Sequence, residues 1–137
     1  MFEWNDRYSL KIANIDGQHQ KLFRLANELH AAMQAGNTES TVEIVERLIQ
    51  CGTLHFAYEE RLMLECGYPG YSAHKAVHDE LKRQVLQLQA DLQSSNRMLG
   101  ITILQILRKA LISHIEAEDS KYAPYVRVPD SEVVSKR

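Results

Sequence analysis

The segment His74-Lys75-Ala76-Val77-His78-Asp79-Glu80-Leu81-Lys82-Arg83-Gln84-Val85-Leu86-Gln87-Leu88-Gln89-Ala90-Asp91-Leu92 decides the fold class. Its apolar residues Val77, Leu81, Val85, Leu88 and Leu92 recur at helical spacing, which draws one apolar stripe along a helix. His74 and His78 are four residues apart, so they share a helix face with a rise of about 6 Å. Both fall within about 40° of the line through Leu81, Val85 and Leu92, taking about 100° per residue. Two imidazoles therefore point where the helix buries its apolar side.

The same periodicity extends in both directions, and no sustained alternation of period two interrupts it, so the chain reads as all-α. Four helices are predicted, over about 16–35, 38–65, 72–93 and 97–118. Gly36-Asn37 stops the first, and Asn37 or Thr38 caps the second. Cys66-Gly67-Tyr68-Pro69-Gly70 breaks the chain before Ser72, and Ser94-Ser95-Asn96 breaks it again. Their stripes are Phe23, Ala26 and Met33; Leu48, Cys51 and Leu62; the stripe already named; and Ile103, Leu107, Ala110 and Leu111. Short connections make sequential helices antiparallel, which gives an up-down-up-down four-helix bundle. Residues 1–15 form an N-terminal arm and 126–137 a frayed tail.

The chain has 137 residues, which corresponds to one domain. Its net charge is −2, which offers a polyanion no attraction, so nucleic acid is not an expected partner. No apolar run is long enough to cross a bilayer, and the charged start Met1-Phe2-Glu3-Trp4-Asn5-Asp6-Arg7 is no signal peptide, so a cytoplasmic monomer is expected. The two cysteines, Cys51 and Cys66, are no disulfide framework. On one helix they would stand about 22 Å apart, too far to bridge.

The remaining histidines repeat the theme of the first pair. His55 and Glu59 are again four apart, on the stripe of Leu48, Cys51 and Leu62. His114 follows Leu107 and Ala110, and His19 precedes Phe23 and Ala26. Five histidines and one glutamate thus face a common apolar interior, where unpaired burial costs several kcal/mol. In an antiparallel bundle all of these positions lie at the same end. Imidazole nitrogens and a carboxylate converging in a dry bundle core describe a transition-metal site. His30 lies about 16 Å along the axis from His19, so it is outside the cluster and is read as structural or partly exposed. Cys51 reads as a small buried hydrophobe, Tyr58 as seam packing, and Tyr122 and Tyr125 as a cover for the bundle end.

In chain order the pattern is His19, His55-x-x-x-Glu59, His74-x-x-x-His78 and His114-x-x-x-x-Asp119. With Ile15-Asp16-Gly17-Gln18-His19-Gln20-Lys21-Leu22-Phe23 and the early Trp4, it resembles the hemerythrin family, specifically its single-domain bacterial members, over about residues 4–125. The resemblance implies a non-haem di-iron centre that binds dioxygen. It implies His74, His78 and His114 on one iron and His19 and His55 on the other. Glu59 and Asp119 would bridge, with a solvent-derived oxo or hydroxo group. Two ferrous ions with these anions leave a net charge of about +1, which an apolar core tolerates. The resemblance also makes Leu111 the wall of the oxygen pocket. Asp119 is five residues after His114, about 140° away on a regular helix, whereas Glu118 would face the core better. A π-type widening or a helix end at that point is therefore expected.

The expected function is oxygen carriage, storage or delivery, with an oxygen-consuming enzyme as recipient, and no catalysis. The alternatives are sensing of oxygen, nitric oxide or redox state through a partner, or a di-iron oxidase or peroxidase. Ferritin-like oxidases use Glu-x-x-His pairs. Here the residues three before each histidine are Asp16, Asn27, Gly52, Tyr71, Lys75 and Leu111, so that motif is missing.

Overall fold

A computed structural model describes residues 2–93 and 99–126. A 3-10 turn at Asp6–Tyr8 precedes helices α1 (Ala13–Gln34), α2 (Thr38–Glu65), α3 (Tyr71–Gln93) and α4 (Leu99–Arg108). The last helix continues through π-helical segments at Lys109–Ser113 and Ile115–Asp119 and then through helical residues 120–126. Consecutive helices pack side by side, and α4 closes against α1, which completes an antiparallel four-helix bundle. No strand occurs among the described residues.

The helix ends follow local chemistry. Asn37 Oδ1 accepts a hydrogen bond from the Ser40 N–H and so caps α2. Gly36 takes a positive φ of 68° between α1 and α2, where a side chain would be strained. The start of α1 differs from the reading at Asp16: the helix begins at Ala13, and the arm is correspondingly shorter. Asp16 sits inside the first turn, and its carboxylate accepts from Ser9 Oγ and the Leu10 N–H, which folds the arm back onto the helix. The arm is also held at Phe2, whose backbone N–H and C=O pair with the Asn27 amide. Trp4 packs edge-on against Phe23.

The C-terminal boundary also differs. Helical structure passes position 118 and Pro124 because Tyr122, Ala123 and Val126 are buried and pin this stretch to the bundle. Val126 is thus helical rather than part of a tail. Residues 127–137 of the expected tail and positions 97–98 of the fourth helix lie outside the described residues.

The core divides in two. One cluster, including Phe23, Leu29, Val45, Leu48, Ile103, Leu107 and Leu111, fills one length of the bundle. The other joins Leu10, Ile15, Met63, Tyr122, Ala123 and Val126. Cys51 and Cys66 are separate thiols; Cys66 Sγ lies 3.6 Å from the Met63 carbonyl oxygen.

Candidate metal centre

All five histidines of the apolar stripes, with Glu59 and Asp119, are buried and meet at one level of the bundle. His30 does not join them and is only partly buried. The seven residues form two sets, one of Glu59, His74, His78, His114 and Asp119, the other of His19, His55, Glu59 and Asp119. Within each set the donor atoms lie within 4.8 Å of one another. Both carboxylates belong to both sets.

The last helix presents Asp119 rather than Glu118 by changing its hydrogen-bond step. The His114 N–H donates to the Lys109 carbonyl and the Ser120 N–H to the Ile115 carbonyl, each five residues back. Residues five apart then share a face, and Asp119 Oδ1 comes within 3.0 Å of His114 Nε2. Glu118 turns outward, its side chain 32% exposed and 3.8 Å from Lys121 Nζ.

The donor geometry fits a cation. His74 Nε2 and His78 Nε2 are 3.0 Å apart, as are His78 Nε2 and His114 Nε2. Three ring nitrogens cannot satisfy one another in this way unless they share something between them. Neighbouring ligands at right angles around an ion with metal–nitrogen bonds of about 2.1 Å lie about 3.0 Å apart. Asp119 divides its oxygens: Oδ1 is 2.9 Å from His74 Nε2, and Oδ2 is 3.2 Å from His19 Nε2. Glu59 Oε1 lies 3.4 Å from His55 Nε2 and 3.2 Å from His78 Nε2. His19 Nε2, Glu59 Oε1 and both Asp119 oxygens are buried without a hydrogen-bond partner, a cost that ligation removes.

Electrostatics show the same need for positive charge. Burial disfavours charge on His19, yet the facing Asp119 and Glu59 carboxylates prevail and push its pKa up to about 9. Burial would raise Glu59, but His55, His19 and His78 hold it well below the usual carboxylate range. Asp119 is held low in the same way against both its burial and Glu59, by His114, His19 and His74. Without metal, protons must supply the cationic charge that the two carboxylates demand.

Four residues that periodicity does not single out support the cluster. Gln18 Oε1 accepts from His55 Nδ1 at 2.6 Å, and Glu60 Oε2 accepts from His78 Nδ1 at 2.9 Å. Each bond fixes the tautomer that turns the Nε2 lone pair inward. The Tyr122 hydroxyl donates to Glu59 Oε2 at 2.6 Å, so this tyrosine reaches the cluster and does more than cover the bundle end. Phe56 stacks on the His78 ring at 3.9 Å between centroids. Adjacency of Gln18 to His19 and of Glu60 to Glu59 was the only trace of these roles.

Beside the cluster lies an apolar cavity of about 110 Å³. Leu111, Leu107, Ile103, Leu81 and Val85 contribute to its wall, and His19, His55, His114 and Asp119 also border it.

The family model of the hemerythrin HHE cation binding domain matches residues 10–126. The chain belongs to the hemerythrin family. It is 33% identical over 131 residues to the bacteriohemerythrin of Pseudomonas aeruginosa, which covers 96% of this chain and 85% of that relative. It is 29% identical over 117 residues to the bacteriohemerythrin of Methylococcus capsulatus, covering 85% and 89% of the two chains. A crystal structure of wild-type hemerythrin superposes with a TM-score of 0.80 at 28% identity, over 90% of this chain and 96% of that one. Oxygen binding is thus supported by family, and the buried His/Glu/Asp cluster supports a metal cofactor. Among the described residues no helix is long and apolar enough to cross a membrane.

Proposed function

We propose that this hemerythrin binds dioxygen reversibly at a pair of iron ions and acts as a carrier or store rather than as an enzyme. His74, His78 and His114 would hold one ion, and His19 and His55 the other. Glu59 and Asp119 would bridge them together with a solvent-derived oxo or hydroxo group. The observation that carries this reading is the membership of both carboxylates in both donor sets, with the Asp119 oxygens turned to opposite sides. When bound, the iron pair supplies the electrons that dioxygen takes up.

The chain's own residues account for access and reversibility. The apolar cavity borders both histidines of the smaller donor set and, of the three in the larger set, His114 alone. A small apolar gas is thereby directed to the side with fewer protein ligands. Leu111 and its neighbours disfavour water and charged species there, which slows loss of the reduced state. Gln18 and Glu60 hold His55 and His78 with the correct nitrogen inward.

Anaerobic reconstitution with ferrous iron, followed by air, tests the proposal. A visible charge-transfer spectrum that appears with oxygen and vanishes on degassing is expected. Irreversible bleaching with turnover of peroxide would overturn the carrier reading in favour of an enzyme. Failure to retain two equivalents of iron would overturn the site itself.

A further inference from the structure

The apolar cavity is longer than a pocket for dioxygen requires. Leu29, Val45, Leu88 and Ile103 belong to its wall, and all four are buried. They stand 10, 10, 10 and 11 residues along their helices from His19, His55, His78 and His114. One arm of the cavity therefore reaches about 15 Å from the metal level, at a rise of about 1.5 Å per residue. The polar side chains of the wall are those of the cluster and, elsewhere, Thr53 and Lys82. A volume of about 110 Å³ drawn out over that length is narrow. A compact dry cavity of about 150 Å³ holds benzene; this one suits an unbranched chain better than a ring.

The cavity reaches the surface between α2 and α3, where Leu86 both lines it and is 52% exposed. Gly52 and Lys82 stand three and four residues from His55 and His78, so they flank this mouth at one level. A Cβ on Gly52 would meet nothing within 4 Å. Glycine is unfavourable in the middle of a helix; here it leaves the mouth clear. The Lys82 side chain is 33% exposed, and its Nζ lies 3.4 Å from Asp79 Oδ1. Lys75 Nζ holds the other oxygen of Asp79 more closely, at 3.1 Å. Asp79 thus keeps a cationic partner when Lys82 turns to an anion at the mouth.

We propose that this cavity binds an unbranched fatty acid, its alkyl tail in the apolar arm and its carboxylate at Lys82. The inference stands apart from the di-iron reading, because the arm, the mouth and Lys82 lie outside the donor cluster. The tail finds a wall with no polar group to desolvate. The head stays at the surface, where its charge is hydrated and paired, so neither half of the ligand is buried against its chemistry. Each methylene that enters the arm should tighten binding about fourfold until the arm is full.

Calorimetric titration of the metal-loaded full chain with hexanoate, octanoate, decanoate and 1-octanol, all below micelle-forming concentrations, tests the site. Affinity should climb with chain length and then level off, and octanoate should bind more tightly than 1-octanol. Lys82→Gln should abolish that preference and leave 1-octanol binding unchanged. Gly52→Leu favours the helix and places a side chain in the mouth. It should weaken both ligands by roughly tenfold or more, the equivalent of two methylenes left in water, with far-UV circular dichroism unchanged. Independently of any variant, octanoate carrying a photoreactive diazirine at its tail end should crosslink to peptides containing Leu29, Val45, Leu88 or Ile103. Absence of binding, crosslinks confined to the outer surface, or full affinity in a folded Gly52→Leu protein overturns the site. An octanoate preference that is missing in the native chain, or that survives in Lys82→Gln, overturns the fatty-acid assignment. A reversible oxygen spectrum without fatty-acid binding sinks this inference alone, whereas binding in protein that never gives such a spectrum sinks the carrier reading and supports this site.

Discussion

Stripped of metal, the protein should become less stable as the pH rises from 6.5 to 9. His19 has its folded-state pKa raised to about 9 from an ordinary 6.5, because Asp119 and Glu59 outweigh the burial that opposes its charge. A raised pKa means that the folded chain holds the proton more tightly than the unfolded one. The stabilisation is therefore complete below pH 6.5 and is lost as the pH climbs through 9. His114, raised by Asp119 and Glu59 against its own burial, acts in the same direction. Glu59 and Asp119 are depressed, so their contribution is present above the ordinary carboxylate range and stays constant across this window. The His19 shift corresponds to a loss on the order of 3 kcal/mol. With a urea slope of about 1–3 kcal/mol/M, the unfolding midpoint should fall by roughly 1–3 M. Urea unfolding of chelator-treated protein, followed by far-UV circular dichroism at constant ionic strength, measures this. Protein carrying zinc or iron should lose the slope, since an ion then replaces the protons and is bound with their release. A midpoint that is flat or rises with pH in the metal-free protein would refute the reasoning.

Three further outcomes follow from the geometry. Glu60→Gln weakens the hold on His78 and should lower metal affinity by roughly 10- to 100-fold in chelator competition; unchanged affinity would leave Glu60 as a surface carboxylate only. Asp119→Ala should leave fewer than two equivalents of iron bound, whereas Glu118→Ala should retain both, as counted by elemental analysis; loss in the Glu118 variant alone would reverse the assignment. Leu111→Ala should cost about 2–5 kcal/mol in the metal-free protein and speed oxidation of the ferrous centre in air, and an unaltered oxidation rate would remove Leu111 from the oxygen pocket.

The parts of the molecule that obey one periodic rule were legible from sequence. His55 with Glu59, and His74 with His78, announce their face because four residues return the chain to the same side of a helix. Apolar stripes above and below them identify that side as the interior. The residues that were not legible act across helices. Gln18 reaches His55 over a separation of 37 residues and Glu60 reaches His78 over 18. No periodicity links such pairs, because their meeting depends on the relative height of two helices. Tyr122 reads from its place near the end of the last helix as a cover for the bundle end, while its hydroxyl bond to Glu59 spans 63 residues. The start of α1 was misplaced for a local reason. The apolar stripe becomes visible only from Asp16 onward, whereas the helix begins at Ala13 and Asp16 spends its carboxylate on Ser9 and Leu10 of the arm.

Asp119 is the instructive middle case, since regular geometry argues against it and only the resemblance selects it. The bundle resolves the conflict by changing the helix. An i→i+5 step costs hydrogen-bond quality and is rarely kept without a gain elsewhere. Here two such segments flank His114, one ending at Ser113 and the next at Asp119. The first step sets the approach to His114 and the second aligns Asp119 with it. A regular helix would have offered Glu118, whose longer side chain now lies partly in solvent beside Lys121. The shorter aspartate spans both histidine sets with separate oxygens at 2.9 Å and 3.2 Å. The π-helical distortion is thus explained by the carboxylate it delivers to the histidine cluster, and continuation of the helix to the buried Tyr122 and Val126 anchors it from the far side.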